Sequence, residues 1–212
     1  MMTDLGLLIS IDGPAGAGKS TLVAALARYL ADRGHRVHAT AEPSHGPIGT
    51  LARANADTLH GYALACLVAA DRYHHLDTEL RPRRNDGHLV LCDRYLPSTL
   101  VLQRMDGLPL DFLEALNAHV DLPDLAVVLT LDPFEAADRV RARGAHSRFH
   151  QGVDSTIKEI NLYDHVGAWL STRRVPVLHL DTTSTPIRRL CDVITTQVEA
   201  MLAARRPAIE RG

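Results

Sequence analysis

The chain has 212 residues, of which 46% are hydrophobic, and a formal net charge of -2 from 23 basic and 25 acidic side chains. That length and apolar content suit a single domain over residues 1–212, while the near-neutral charge excludes bulk attraction to a nucleic acid polymer or a membrane surface. Because no apolar run approaches a membrane span, no secretion signal is recognisable and the cysteines are few and widely spaced, we predict a cytoplasmic protein with free thiols.

The first predicted elements are an apolar strand over 7–12 and a helix over 19–33, joined by a glycine-rich segment. Residues 13–20 read Gly-Pro-Ala-Gly-Ala-Gly-Lys-Ser, a full match to the phosphate-binding pattern G-x-x-x-x-G-K-[ST]. In this context backbone N–H groups surround phosphate oxygens, and the helix N-terminus adds partial positive charge. We predict that Lys19 reaches the β- and γ-phosphates and that the Ser20 hydroxyl ligates Mg²⁺.

Further strand-like segments follow over 36–41, 89–93, 125–132 and 175–181. Helices are predicted over 19–33, 59–83, 108–119, 133–143, 154–172 and 185–204. Apolar strands that alternate with helices are typical of a parallel sheet covered on both faces. The predicted fold class is therefore α/β, a three-layer sandwich of P-loop NTPase type with a five-stranded parallel sheet. The polar, glycine-flanked segment 143–153 is predicted to form a short lid.

An acidic residue and an arginine end the third predicted strand, at Asp93 and Arg94. In phosphate-binding-loop proteins an aspartate at this point holds Mg²⁺, usually through water. An arginine can bind two oxygens of one phosphate, a geometry that lysine cannot reproduce. Taken alone the pair would by default be interpreted as a structural salt bridge, but together with the glycine-rich loop it predicts a functional site.

Four segments resemble thymidylate kinases, in the order in which that family has them. Residues 93–99 with Gln103 resemble the family stretch D-R-[YH]-x-x-S-T/S…Q, and residues 41–49 resemble R-E-P-G-G-T-P-I-G. Residues 69–74 resemble the A-D-R-x-x-H helix, and residues 141–149 resemble the lid R-A-R-G-x-x-D-R-F/I. The likeness extends from residue 7 to about residue 170.

The resemblance implies transfer of a phosphoryl group from Mg-ATP to a nucleoside monophosphate, most directly dTMP to dTDP. The implied ATP-binding residues are Gly13, Ala15, Gly16, Ala17, Gly18, Lys19, Ser20 and Thr21. The implied catalytic residues are Lys19, Arg94, Arg143 and Arg148, and Ser20 and Asp93 are the implied Mg²⁺ ligands. The implied acceptor-binding residues are Glu42, Val68, Arg72, Asp93, Arg94, Tyr95, Ser98 and Gln103. A homodimer that forms through the helix predicted over 59–83 is also implied.

The likeness is incomplete on the acceptor side. Where the family has an acidic loop residue, an arginine, a stacking aromatic ring and a tyrosine, this chain has Ala15, Ala41, Val68 and Leu102. Two interpretations remain open: a divergent thymidylate kinase, or a kinase for another or modified nucleotide, a nucleoside or a small metabolite. An ATP-dependent switch protein is a third alternative. On the helix predicted over 154–172, Glu159 is expected to be solvated.

Overall fold

A computed structural model describes residues 5–143 and 152–205. Most of the predicted lid, including Arg148, therefore lies outside the described residues. Of Arg143 only the backbone, at the end of a helix, is described.

Five strands form one parallel sheet, as predicted: β1 (Leu8–Asp12), β2 (Val37–Ala41), β3 (Leu89–Asp93), β4 (Leu125–Thr130) and β5 (Val177–Asp181). Their spatial order is β2-β3-β1-β4-β5, which places β1 at the centre. Ile11 of β1 is in register with Asp93 of β3 and with Val127 of β4. The carboxyl ends of the central strands are therefore level, and this edge is where open α/β sheets bind ligands.

Helices cover both faces of the sheet, which makes the three-layer sandwich of the P-loop NTPase type. The helices are α1 (Lys19–Ala31), α2 (Pro47–Ala54), α3 (Gly61–His75), α4 (Arg81–Asn85), α5 (Leu96–Met105), α6 (Leu110–Leu116), α7 (Pro133–Arg143), α8 (Val153–Thr172) and α9 (Ile187–Arg205), and a π-helical segment spans Leu76–Leu80. Strand residues alternate between two apolar layers: Ile9 and Ile11 pack with α1 and α9, whereas Leu8 packs with α5 and α8. Among the described helices, none combines the length and the apolar character needed to cross a membrane.

The helices differ from the prediction at three places. Helices α2 and α5 are not predicted, although each has proline in its first turn, a favoured position. Helix α2 has only 8 residues, too few for a repeated helical pattern to be recognised in the sequence. In α5 nearly every side chain of the first part is buried, so this helix lacks the one-sided pattern that marks a surface helix. The helix predicted over 59–83 divides into α3, the π-helical segment and α4.

Candidate active site

The glycine-rich loop connects β1 to α1 through backbone that side chains would obstruct. Gly13 has φ 143° and Gly16 has φ 80°. A Cβ atom on Gly13 would lie 2.6 Å from the carbonyl oxygen of Leu129, and one on Gly16 would lie 2.9 Å from that of Ala136. Both positions therefore require glycine. No side chain caps the start of α1 at Lys19, so its first N–H groups remain available to an anion.

Lys19 is held against this loop. Its Nζ donates hydrogen bonds to the carbonyl oxygens of Gly13 and Pro14, both at 2.8 Å, and the residue is 7% exposed. Burial lowers the pKa of Lys19 to about 7, and the positive charge of Arg94 acts in the same direction. An anionic phosphate beside the amine favours its charged form, so ligand binding and protonation of Lys19 are linked.

Glu159 lies beneath the loop, and the prediction that it is solvated is wrong. The residue is 1% exposed. Its Oε2 accepts a hydrogen bond from the backbone N–H of Ala15 at 3.4 Å, and its Oε1 has no hydrogen-bond partner within residues 5–143 and 152–205. Burial raises the pKa of Glu159, and the positive charges of Arg94 and Lys19 oppose that rise. The carboxyl group is therefore part of the electrostatic environment of the site.

The sequence did contain a signal for the burial of Glu159. The buried side chains of α8 include Glu159, Tyr163, Val166 and Leu170. Their separations of four, three and four residues are those of one helix face. A carboxyl group on the apolar face of a helix indicates a buried functional or structural group rather than a solvated one.

We expect the variant Glu159→Gln to lower the pKa of Lys19 further. The carboxylate of Glu159 raises that pKa at present, and an amide of nearly the same shape removes the charge. The chain has only two lysines, Lys19 and Lys158, so an NMR titration of the lysine side chains gives two separable signals. Lys158 serves as the internal reference and the exposed Glu199→Gln as the matched control. An unchanged or raised pKa of Lys19 in Glu159→Gln would contradict the electrostatic role.

Ser20 and Asp93 meet at the mouth of the loop. The Oγ of Ser20, in the first turn of α1, donates a hydrogen bond to Oδ2 of Asp93, at the end of β3. A hydroxyl and a carboxylate are oxygen ligands of the kind that Mg²⁺ prefers. The two side chains therefore fit the predicted magnesium site.

Arg94 follows β3 in an unusual backbone conformation. Its φ of 67° lies in the left-handed region that non-glycine residues seldom adopt. Its N–H donates to the carbonyl oxygen of Ile11 at 2.9 Å, and its Nη1 donates to Oγ of Ser98 at 3.4 Å. The next turn is fixed by the buried Asp12, whose Oδ1 accepts from the N–H groups of Tyr95 at 3.0 Å and Ser98 at 3.1 Å. Strained backbone held in this way is typical of functional sites.

Two adjoining cavities share Arg94. The donor-side cavity, of about 440 Å³, is lined by Ala15, Gly16, Gly18, Lys19, Ser20, Thr21, Ala41, Glu42, Pro43, His45, Arg53, Asp93, Arg94 and Val140. The inner cavity, of about 220 Å³, is lined by Glu42, Pro43, Ala52, Ala56, Leu64, Val68, Arg72, Arg94, Tyr95, Ser98, Thr99, Leu102 and Gln103. The structure thus brings most of the predicted site residues to one connected space.

A further cavity of about 350 Å³ lies on the other side of the loop. It is lined by Gly16, Ala17, Gly18 and Thr21 of the loop region and by Leu22, Arg139, Thr182, Thr185, Ile187 and Leu190. Arg139 donates through Nη1 to the carbonyl oxygen of Gly16 at 3.3 Å and through Nη2 to that of Thr182 at 3.3 Å. The loop therefore has space on both sides of its glycines.

Arg72, predicted to face an acceptor base, lies in the wall of the inner cavity and is 1% exposed. Its Nε donates to Oε2 of Glu42 at 2.7 Å, Nη1 to Oδ1 of Asn117 at 2.7 Å and Nη2 to Oγ1 of Thr99 at 2.6 Å. These bonds use three of the five guanidinium N–H groups. Nearby, Oε1 of the buried Gln103 has no partner among the described residues. The cavity wall therefore retains both donors and an acceptor.

Some contacts at the site were not predicted from the sequence. Arg53 lines the donor-side cavity and donates through Nη1 to the carbonyl oxygen of Pro43. It lies on α2, which the sequence pattern did not reveal, and it adds positive charge to the wall that includes Ala41. Asn117 and Thr99 were also not predicted, since nothing in the local sequence indicates that they bind Arg72.

The chain is similar to known proteins over most of its length. The sequence model of the family described as Thymidylate kinase matches residues 11–167. The thymidylate kinase of Xanthomonas oryzae pv. oryzae (strain PXO99A) is 44% identical over 141 residues, 66% of this chain and 62% of that protein. The one of Xanthomonas campestris pv. campestris (strain B100) is 42% identical over 145 residues, 68% of this chain and 64% of that protein. The matched region thus spans less than two thirds of these relatives. A probable thymidylate kinase of Pyrobaculum calidifontis is 36% identical over 146 residues, 68% of this chain and 74% of that protein.

Proposed function

Because the chain belongs to the thymidylate kinase family, we propose that it transfers the γ-phosphoryl group of ATP to a pyrimidine deoxynucleoside monophosphate, with dTMP as the first candidate acceptor. The observation that carries the proposal is the place of Arg94, a residue that lines both the donor-side cavity and the inner cavity. An acceptor phosphate at Arg94 lies beside the glycine-rich loop, and its base then has the inner cavity to occupy. A nucleoside monophosphate has the two parts that this arrangement requires.

The donor side is assigned to the loop. Its open N–H groups and Lys19 bind the ATP phosphates, and the cavity beside Thr182 and Ile187 takes the adenosine. Ser20 and Asp93 would hold Mg²⁺, which when bound neutralises charge on the phosphates. The roles of Arg143 and Arg148 stay predictions from the sequence.

Phosphoryl transfer demands little covalent chemistry from the protein. It requires that donor and acceptor lie in line, that their repulsion is neutralised and that water is kept out. Lys19 supplies positive charge on the donor side and Arg94 on the acceptor side, while Arg53 adds a third cation to the same cavity wall. Glu42 fixes Arg72 in the inner cavity, so the acceptor base meets an oriented guanidinium.

The test is ADP formation from Mg-ATP across a panel of nucleoside monophosphates, with nucleosides and an acceptor-free reaction alongside. We expect turnover that depends on a monophosphate acceptor and is fastest with dTMP. Turnover with nucleosides alone would move the assignment to a nucleoside kinase. ADP formation without any acceptor would support an ATP-dependent switch protein instead.

A second candidate acceptor is a modified pyrimidine nucleotide. The lining of the inner cavity includes five aliphatic side chains, those of Ala52, Ala56, Leu64, Val68 and Leu102. Tyr95 is the one aromatic residue among the described residues that line it, so a substituent on the pyrimidine ring has aliphatic surface to pack against. If this candidate is correct, the panel shows a modified monophosphate ahead of dTMP.

We expect Val68→Phe to raise kcat/KM for dTMP about tenfold, because a ring at this wall of the cavity stacks on the base. The aliphatic control is Val68→Leu, which fills part of the same space without offering a π face. Steady-state kinetics with dTMP as the varied substrate measure the effect. An equal gain in Val68→Leu, or no gain in Val68→Phe, would show that stacking does not limit dTMP use.

We also propose homodimerisation through α3. Tyr62 on this helix is 58% exposed, and Cys66, four residues further on, is exposed as well. Apolar surface on one exposed helix face is suited to a partner helix. Light scattering coupled to size-exclusion chromatography measures the oligomeric state.

A further inference from the structure

A row of buried polar side chains leads from the inner cavity into the protein. It begins at Arg72, whose Nε donates to Oε2 of Glu42 at 2.7 Å. The other oxygen of that carboxylate, Oε1, lies 3.4 Å from Nδ1 of His75. The side chains of Arg72 and His75 are each 1% exposed and that of Glu42 is 3% exposed. Glu42 is thus shared between a guanidinium in the cavity wall and a buried imidazole.

The row continues from His75 to the surface. Nε2 of His75 lies 3.0 Å from Oγ1 of Thr40 and 3.5 Å from Oε1 of Glu79. Oε1 of Glu79 in turn lies 2.8 Å from Nε2 of His38, and both of these side chains are partly exposed. Glu79 belongs to the π-helical segment that begins directly after His75, and such segments are frequent at functional sites. The imidazole therefore connects the acceptor wall with a solvated carboxylate.

The protonation state of His75 decides how Glu42 is held. An imidazolium donates from both ring nitrogens, so Nδ1 can donate a hydrogen bond to Glu42 while Nε2 donates to Thr40 or Glu79. A neutral imidazole has one N–H group, so it can donate to the carboxylate of Glu42 or to that of Glu79 but not to both. A carboxylate released from His75 can turn both oxygens to Arg72, since side-on pairing with a guanidinium is the strongest geometry available to it. That pairing uses an N–H group otherwise available to a ligand.

We propose that His75 is a positioning residue for the acceptor, which rests on the proposed function: protonated His75 holds Oε1 of Glu42, so that Arg72 keeps free N–H groups for the acceptor base. Glu42 lines both cavities, whereas Arg72 lines the inner cavity and not the donor-side cavity. Loss of the proton from His75 therefore acts through Arg72 and weakens acceptor binding far more than ATP binding.

The charges that surround His75 determine the direction of the pH effect. Burial lowers the pKa of His75, but Glu42 from the β2–α2 connection and Glu79 from the π-helical segment outweigh it and raise the pKa. Arg72 on α3 and His38 on β2 reach the imidazole only through these carboxylates. Burial also raises the pKa of Glu79, yet hydrogen bonds from His38 and Thr40 hold it below its usual range. The acceptor KM therefore rises as the pH rises through the pKa of His75.

The experiment compares the wild-type protein with His75→Asn, His75→Leu and the control His74→Asn, an exposed neighbour on α3. In the wild-type protein we expect the KM for dTMP to rise about tenfold as His75 loses its proton, the effect of one hydrogen bond to a charged group. In His75→Asn the side-chain amide lies near the position of Nδ1 and can still donate a hydrogen bond to Glu42. The KM for dTMP therefore stays low and loses this pH dependence. His75→Leu raises the KM for dTMP at every pH. In every variant, kcat and the KM for ATP do not depend on the protonation state of His75.

Calorimetric titration with dTMP alone separates the two proposals, since it needs no turnover. Tight binding at low pH that weakens as the NMR signal of His75 reports deprotonation supports the positioning role, even if no phosphoryl transfer follows. Two results would overturn the positioning role: a dTMP affinity that does not change as His75 loses its proton, or a pH dependence of dTMP binding that persists in His75→Asn. If His75→Leu does not fold, the wild-type profile and His75→Asn decide. Failure of the proposed function has a different signature, which is the absence of transfer to any monophosphate.

Discussion

Replacing Lys19 by alanine lowers kcat for phosphoryl transfer by at least about 10³-fold, because a preorganised charge at the transferring group contributes on that scale. The side chain donates to two carbonyl oxygens in the loop, those of Gly13 and Pro14, and Lys19 itself lines the donor-side cavity, from which water can replace the amine. The fold should therefore persist. Coupled measurement of ADP formation gives kcat, and circular dichroism gives the melting temperature.

The matched control is Lys158→Ala, which removes the other lysine of the chain from an exposed position on α8. It should leave kcat within about twofold of wild type, as surface substitutions usually do. Retained turnover in Lys19→Ala would refute the assignment of the loop to ATP phosphates. A collapse of the melting temperature would show instead that Lys19 is chiefly a structural residue.

Replacing Arg94 lowers kcat/KM for the acceptor by about 10³-fold and changes ATP binding far less, since the bidentate phosphate contact that is lost belongs to the proposed acceptor. Because the backbone at this position is left-handed, with φ 67°, the variants must distinguish an effect of backbone strain from an effect of the lost side chain. Arg94→Gly relieves the backbone and removes the guanidinium. Arg94→Lys keeps the charge but not the bidentate geometry.

Both variants should lose acceptor turnover if the guanidinium is what matters, with Arg94→Lys the less affected. Arg83→Ala, an exposed arginine on α4, is the control for loss of positive charge. Steady-state kinetics with each substrate varied in turn separate the two sides. An equal loss of ATP binding would place Arg94 on the donor side, and full activity in Arg94→Gly would exclude it from the site.

The strands could be predicted to within two residues at each end, because the central ones are largely apolar and buried on both faces. The glycine-rich turn between β1 and α1 could be predicted because local geometry requires glycine at Gly13 and Gly16. Helix α5 could not be predicted, since tertiary burial of its first residues removes the one-sided pattern. Local sequence patterns therefore predict the strands and the glycine-rich loop, but not an element such as α5 whose pattern depends on tertiary packing.

The acceptor side illustrates what local sequence cannot contain. The prediction that Arg72 faces an acceptor base came only from the family resemblance, and Asn117, which accepts a hydrogen bond from Arg72, lies 45 residues away along the chain. Glu159 is a different case, since its burial was indicated by the spacing on α8 and was misread. The first kind of contact depends on how helices pack, whereas the second needed only consistent use of helical periodicity.

Arg94 lies in the walls of both cavities, and this has a thermodynamic consequence for the two substrates. A ligand that neutralises or moves the guanidinium alters the free energy with which the other ligand binds. By linkage the effect is reciprocal: whatever factor ATP imposes on the dissociation constant of the acceptor, the acceptor imposes on that of ATP. Under the proposed function we therefore expect donor and acceptor to bind as a coupled pair, and we expect an inhibitor that occupies one cavity to change the affinity for the ligand of the other.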